Sequence, residues 1–214
     1  MENYKQKFIS LSLEIGALKF GEFQLKSGRI SPYFFNMGLF SSGPLIKNIG
    51  DFYAAALVSS NINYDIVFGP AYKGIPIVTA LASSLSISYQ LDKPFVYNRK
   101  EVKNHGEGGV TVGEELRGNV VIVDDVITAG TAIREAVDII NNAGATTTGI
   151  VISLDRQERG VGDLSAAKEI SNTLNIPVIS IVNLDEVIDY IDNNPSDYGQ
   201  HIDKIKKYRE EYGA

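Results

Sequence analysis

Val120-Val-Ile-Val-Asp-Asp-Val-Ile-Thr-Ala-Gly-Thr-Ala132 is the stretch that decides the fold. Its first four residues are all β-branched, a run too apolar for a strand with one wet face, which predicts a strand covered on both sides. The run ends at two adjacent carboxylates, Asp124 and Asp125. A turn of small residues, Thr128-Ala129-Gly130-Thr131, then opens a helix predicted over 131–143, with Ile133, Ala136, Val137 and Ile140 on one side and Gly144 as its C-terminal cap. The carboxyl end of a parallel strand is where α/β folds bind ligands, and free N–H groups at a helix start attract phosphate. Two neighbouring carboxylates can accept hydrogen bonds from vicinal hydroxyls. Together these features describe a site for ribose 5-phosphate. Capping Asp and Thr on an ordinary strand-turn-helix explain either residue type alone, but explain Asp-Asp and Thr-Ala-Gly-Thr together poorly. No GxxxxGK[ST] is present and no GxGxxG joins a strand to a helix, so neither a P-loop nor a dinucleotide fingerprint competes.

Outward from this stretch, short Val/Ile-rich runs alternate with helical periodicity. Runs at 66–68, 95–97, 149–154 and 178–182 predict further strands, and patterns at 75–85, 165–174 and 184–191 predict helices between them. Ile46, Ile49, Tyr53, Ala56 and Leu57 share one face of an earlier helix opened by Ser42-Gly43-Pro44. Phe8, Leu11, Ile15 and Leu18 share a face of an N-terminal helix, and Ile202, Ile205, Tyr208 and Tyr212 mark a last amphipathic one. The expected fold is α/β: a mostly parallel central sheet flanked by helices, in a single domain over 1–214. Residues 1–40 are expected to form a small cap on the sheet.

The composition removes several classes of function. With 20 Lys+Arg against 26 Asp+Glu the net charge is −6, which argues against nucleic acid or an anionic membrane as partner. No cysteine is present, which excludes disulfides, thiol catalysis and thiolate metal sites. The first twenty residues alternate polar and apolar and read as no signal peptide, and no run suits a membrane span. The expected location is the cytoplasm.

Three further segments carry charge where ligand chemistry would need it. Gly69-Pro70-Ala71-Tyr72-Lys73-Gly74 joins a predicted strand to a helix; beside a phosphoribose site it reads as a loop that receives pyrophosphate. Arg156 follows another predicted strand, where a guanidinium can grip a planar carboxylate in two parallel hydrogen bonds, although a surface salt bridge is the plainer reading. Residues 99–113, RKEVKNHGEGGVTVG, show little strand or helix periodicity. Arg99, Lys100, Lys103 and His105 precede four glycines there, a pattern expected of a flexible lid that closes over an anion. Leu25 to Asn36, LKSGRISPYFFN, reads as too polar and turn-rich for core.

These segments together resemble the orotate phosphoribosyltransferases of the short, monofunctional bacterial type, within the type I phosphoribosyltransferases. The strand-acid-acid-turn motif is shared across the wider group, whereas LKSGRISPYFFN and RKEVKNHGEGG are more specific to the narrower one. The resemblance implies transfer of ribose 5-phosphate from phosphoribosyl diphosphate to orotate, giving orotidine 5′-phosphate and pyrophosphate on the route to UMP. It implies Mg²⁺, held mainly by substrate oxygens and water, and a homodimer with shared active sites. By matching motifs, Lys26, Lys103, Asp124 and Asp125 would be catalytic. Lys26, Tyr72, Lys73, Arg99, Lys100, Lys103 and His105 would meet the pyrophosphate, and Asp124 and Asp125 the ribose hydroxyls. Val126, Ile127, Thr128, Ala129, Gly130, Thr131 and Ala132 would complete the phosphoribosyl diphosphate site. Phe34, Phe35, Thr128 and Arg156 would hold orotate. Two rival readings are a relative acting on uracil or a purine and a ligand-sensing regulator without catalysis. The first would need a different base-binding segment; the second would be expected to lose the cations of 99–113.

Overall fold

The computed structural model describes residues 3–25, 28–103, 109–160 and 162–214. Its centre is a six-stranded sheet in the order β5-β4-β3-β6-β7-β8, formed by β3 (Ile66–Gly69), β4 (Phe95–Lys103), β5 (Gly109–Gly113), β6 (Asn119–Asp124), β7 (Thr146–Asp155) and β8 (Val178–Asn183). All neighbours pair in parallel except β4 and β5, so one edge strand is antiparallel. The β-branched run behaves as its composition requires. Val121 and Val123 face one buried layer with Val67, while Val120 and Ile122 face another with Ile66 and Phe68.

Helices close both faces. On one side lie α2 (Gly43–Ser59) and α3 (Gly74–Tyr89), presenting Ile49, Tyr53, Leu57, Ile77 and Leu81. On the other lie α4 (Thr131–Asn142) and α5 (Ala166–Leu174), presenting Ile133, Ala136, Ile140 and Ile170. Ser42 stands at the N-terminal boundary of α2, with proline in its first turn, and Gly144 follows α4 at φ +78°, where its N–H reaches Asn141 O at 2.9 Å.

The N-terminal cap is α1 (Tyr4–Glu14) with a separate hairpin, β1 (Leu18–Gln24) and β2 (Ile30–Phe35). Leu18 therefore opens a strand instead of extending the first helix, because the chain turns at Gly16 with φ +70°. The polarity of 25–36 also misleads as a guide to burial. Ser31 and Tyr33 are 0% and 1% exposed, because the inner face of β2 is covered by α7 (Pro195–Tyr212), which follows α6 (Leu184–Asn193). Tyr208 of α7 meets the Tyr33 ring edge-on at 6.2 Å.

The described parts of 99–113, residues 99–103 and 109–113, are strand and not irregular loop, and 104–108 lie outside the described residues. Strand β4 continues through Lys103 and β5 returns beside it, with Asn98 opposite Thr111 and Lys103 opposite Gly109. Charged and glycine residues hide the period because β5 is an exposed edge strand with little to bury. Among the described residues, no helix is long and apolar enough to cross a membrane.

Candidate active site

The sheet reverses its winding between β3 and β6: the chain leaves β3 towards β4 on one side and returns to pair β6 on the other. Such a switch point opens a crevice at the carboxyl ends of the two strands. The loops leaving them converge there, and Lys73 Nζ, from the β3–α3 loop, pairs with Asp125 Oδ2. Lys73 is largely exposed, while Asp125 is only 7% exposed as a residue. The loop is tight at its root. Its Ala71–Tyr72 peptide is cis, Gly74 N–H bonds Pro70 O at 2.9 Å, and Asn98 Oδ1 accepts from Ala71 N at 2.8 Å. Gly69 and Gly74 are glycine for lack of room, since a Cβ on Gly69 would lie 2.2 Å from Gly74 O.

Asp124 and Asp125 are fixed through their backbone from beneath. Tyr53, fully buried on α2, donates its hydroxyl to Asp124 O at 2.7 Å. Ser153 of β7, also fully buried, donates both Oγ (2.5 Å) and N–H (2.8 Å) to Asp125 O. Each carboxylate accepts one backbone N–H, Asp125 N on Asp124 and Val126 N on Asp125, both at 2.9 Å. Burial and the neighbouring Asp125 charge push Asp124 up from 3.8 to about 6, against the opposing pull of Lys73 and Lys100. A cation brought into the crevice would reverse that balance.

Beyond the acid pair, Thr128, Ala129 and Thr131 are exposed around the start of α4, and Ala132 is half-buried. Gly130 sits at φ +71°, and a Cβ there would come 2.6 Å from Ile170. The cradle is thus open to a phosphate on one side and packed against α5 on the other. Val126 and Ile127 serve the turn from below, Ile127 within the core.

Arg156 follows β7, the next strand over, and its setting differs from a surface salt bridge. Its side chain is 17% exposed and its partner Glu158 12%. Glu158 Oε1 accepts from Arg156 Nε at 3.0 Å and Nη2 at 2.6 Å, while Nη2 also reaches Ser31 Oγ at 3.2 Å. The Tyr33 ring lies 4.4 Å beneath the guanidinium carbon, and its hydroxyl donates to the same Glu158 oxygen at 2.8 Å. Burial would lower the Arg156 pKa, but Tyr33 and Glu158 displace it upward overall. A two-bond grip on an incoming carboxylate therefore has only the outer edge of the guanidinium to use, since the inner edge is taken.

The chain is 53% identical to the orotate phosphoribosyltransferase of Mannheimia succiniciproducens over 214 residues, covering all of both chains. The orotate phosphoribosyltransferase of Marinobacter nauticus stands at the same 53% and the same full coverage. The chain belongs to the orotate phosphoribosyltransferases. Residues 40–185 match the phosphoribosyl transferase domain family. The crystal structure of orotate phosphoribosyltransferase from Francisella tularensis superposes with a TM-score of 0.88 at 44% identity, over 97% of this chain and 100% of that one.

Against that family, the residues expected to act divide into groups. Asp124, Asp125, Lys73 and the 128–132 turn meet in one crevice. Tyr72 is 73% exposed. Lys100 pairs with Glu135 of α4 at 3.2 Å, and Arg99 donates to Gly109 O and Thr111 O within its own hairpin. Phe34 is 41% exposed and meets the Phe23 ring at a tilt, 5.5 Å between centroids, and Phe35 packs on Phe8. Lys26 and His105 lie outside the described residues, and of Lys103 only the backbone is described. Sequence reasoning missed Tyr53, Ser153, Ser31, Tyr33 and Glu158. Only Glu158 carried a signal, being an acid two residues from Arg156.

Proposed function

We propose that the protein transfers the ribose 5-phosphate group of phosphoribosyl diphosphate to orotate, releasing pyrophosphate and forming orotidine 5′-phosphate for UMP synthesis. One observation carries the residue roles: three adjacent strands, β3, β6 and β7, lead at their carboxyl ends to Lys73, the Asp124–Asp125 pair and Arg156 in that order. Leaving group, sugar and base lie in the same order along the reacting substrates.

Departure of pyrophosphate leaves positive charge on the ribose ring and gathers negative charge on the leaving oxygen. Fixed charges set to meet both lower the barrier without reorganising. Lys73 is directed to the leaving group, and it exchanges Asp125 for phosphate oxygen when substrate enters. Asp124 and Asp125 accept from the ribose hydroxyls and face the developing cation, while the start of α4 holds the 5′-phosphate. Arg156 binds the orotate carboxylate and so aims the ring nitrogen. Lys26, Arg99, Lys100, Lys103, His105 and Tyr72 add pyrophosphate contacts, and residues 99–113 close over the site.

Mg²⁺ fits this donor set through substrate. Among the described residues, no group of three or more His, Asp or Glu side chains gathers, and Asp125 already holds Lys73. Asp124 and Asp125 would reach the ion through water, and the ion would supply neutralising charge on the pyrophosphate. Net charge −6 and the lack of cysteine suit the cytoplasm, with no nucleic acid or membrane as partner.

A base panel with phosphoribosyl diphosphate and Mg²⁺ tests the reading: orotate should be consumed and uracil, adenine, hypoxanthine and guanine left. Comparable turnover of uracil would overturn it, because uracil lacks only the carboxylate assigned to Arg156. The shared homodimer site is tested by subunit exchange between Lys103→Ala and Asp125→Asn proteins. About a quarter of wild-type activity should return if the lid crosses between subunits, since half the dimers are mixed and each has one intact site. No recovery after verified exchange would place the lid over its own subunit.

A further inference from the structure

Arg156 reaches its place through a long side chain with four torsions, and aiming a carboxylate requires those torsions to be fixed before the ligand arrives. The structure supplies three restraints. Glu158 Oε1 takes both donors of the inner edge, Nε and Nη2; Ser31 Oγ takes the other Nη2 hydrogen; and the Tyr33 ring fixes the plane from below. A guanidinium has five N–H donors. Among the described residues, the two on Nη1 make no hydrogen bond. The outer edge, Nη1 with the shared Nη2, is therefore the face presented to a ligand, and Ser31 is the partner a ligand carboxylate would displace.

Glu158 is itself held. The Tyr33 hydroxyl donates to Oε1, and the loop bearing Glu158 is stitched to the last residue of α7 and the two residues after it. Arg159 N–H bonds Tyr212 O at 2.8 Å, Ala214 N–H bonds Gln157 O at 2.9 Å, and Glu158 bridges Gly213. The buried Tyr208 hydroxyl lies beside Ser31 and Glu158 in the same cluster, while the Tyr33 hydroxyl makes the 2.8 Å bond to Glu158 Oε1. Glu158 also balances the guanidinium charge in the free protein, where an unpaired buried cation would be strongly destabilising.

We infer that Glu158, held by Tyr33, is a positioning residue for orotate: it acts through Arg156, turning the outer guanidinium edge toward the base without touching the base itself. The inference rests on Arg156 binding the orotate carboxylate, and its test separates the two claims. Steady-state kinetics would be measured for Glu158→Ala, Glu158→Gln, Arg156→Ala and the double variant. Glu158→Ala should raise the orotate KM about tenfold while kcat and the phosphoribosyl diphosphate KM move less than about twofold. Glu158→Gln keeps an acceptor oxygen at the same point, so it should return the orotate KM to within about threefold of wild type.

In the Arg156→Ala background, Glu158→Ala should add nothing further, because a residue acting only through Arg156 has nothing left to act on. Additive losses, or equal effects of Ala and Gln, would overturn the positioning role. An unchanged orotate KM in Arg156→Ala would instead overturn the assignment beneath it. Should Glu158→Ala fail to fold, Tyr33→Phe decides: it keeps the ring and removes only the hydroxyl donated to Glu158. An orotate KM raised about two- to threefold with kcat intact supports the inference, and no change overturns it.

Discussion

The proposed sugar-phosphate end of the site comes from one continuous stretch, Asp124 to Thr131, set on a central strand of the sheet. The proposed base end comes from three distant pieces: Ser31 and Tyr33 of the N-terminal hairpin, Arg156 and Glu158 after β7, and the chain beyond α7. The first is anchored from below by Tyr53 and Ser153 through backbone carbonyls, so its geometry is that of the sheet. The second is anchored by side chains on side chains, so its geometry depends on three elements docking correctly. The comparison teaches that changes at the sugar end should strike the chemical step, and changes at the base end should strike orotate affinity alone.

The sharpest way to break that division is at Asp125. Asp125→Asn should lower kcat by about two to three orders of magnitude, the loss expected for one preorganised charge, and leave the orotate KM nearly unchanged. A fall smaller than about fivefold in steady-state assays would deny the acid pair its role.

Next in size is the pH dependence of Asp124. Its pKa is raised in the folded chain to about 6 from 3.8, so the folded state binds its proton more tightly than the unfolded one. The stabilisation this brings is complete below about pH 4 and lost as pH rises through about 6, amounting to about 2–3 kcal/mol. Denaturant titrations from pH 4 to 8 should show that loss in wild type and not in Asp124→Asn. Since the ionised form faces the ribose cation, kcat/KM for phosphoribosyl diphosphate should fall below about pH 6. Equal pH slopes in wild type and variant would refute the assignment.

Ser153→Ala tests the anchor under the acids. Losing the buried hydroxyl on Asp125 O should cost about 1–2 kcal/mol in a thermal or urea melt. It should also lower kcat about threefold to tenfold, with the orotate KM untouched. A selective rise in the orotate KM would show that the two ends are not separately supported. The smallest effect belongs to Arg29, whose Nη1 donates to Arg159 O at 2.9 Å and whose guanidinium covers Tyr212 at 5.0 Å. Arg29→Ala should raise the orotate KM about two- to threefold, in keeping with one exposed cation–π contact, and leave kcat alone.

The two ends also differ in how readable they were. The β-branched run, the paired acids and the small-residue turn are neighbours in the chain, so periodicity and spacing expose them. Gly69 and Gly74 were visible as residues, but their reason, two backbones meeting at 2.2 Å from a notional Cβ, is a property of the folded loop. The burial of Tyr33 was hidden because its strand is short, polar and covered by a helix more than 160 residues later in the chain. The pairing of 99–103 with 109–113 was hidden because an edge strand with exposed, charged residues carries no apolar period.

Local pattern in the sequence is enough for an α/β chain with a strand buried on both faces, two acids and a small-residue turn at that strand's end, and a resemblance to its family. These are local facts: hydrophobic period and residue chemistry over a dozen neighbours suffice for them. Only the tertiary structure decided that Lys73 meets Asp125 and that Arg156 is held, edge by edge, through Glu158, Ser31 and Tyr33. Apart from Arg156 and Glu158, which are near neighbours in the chain, those contacts join residues dozens to more than a hundred positions apart. Their existence depends on strand order and helix docking, which no local pattern encodes.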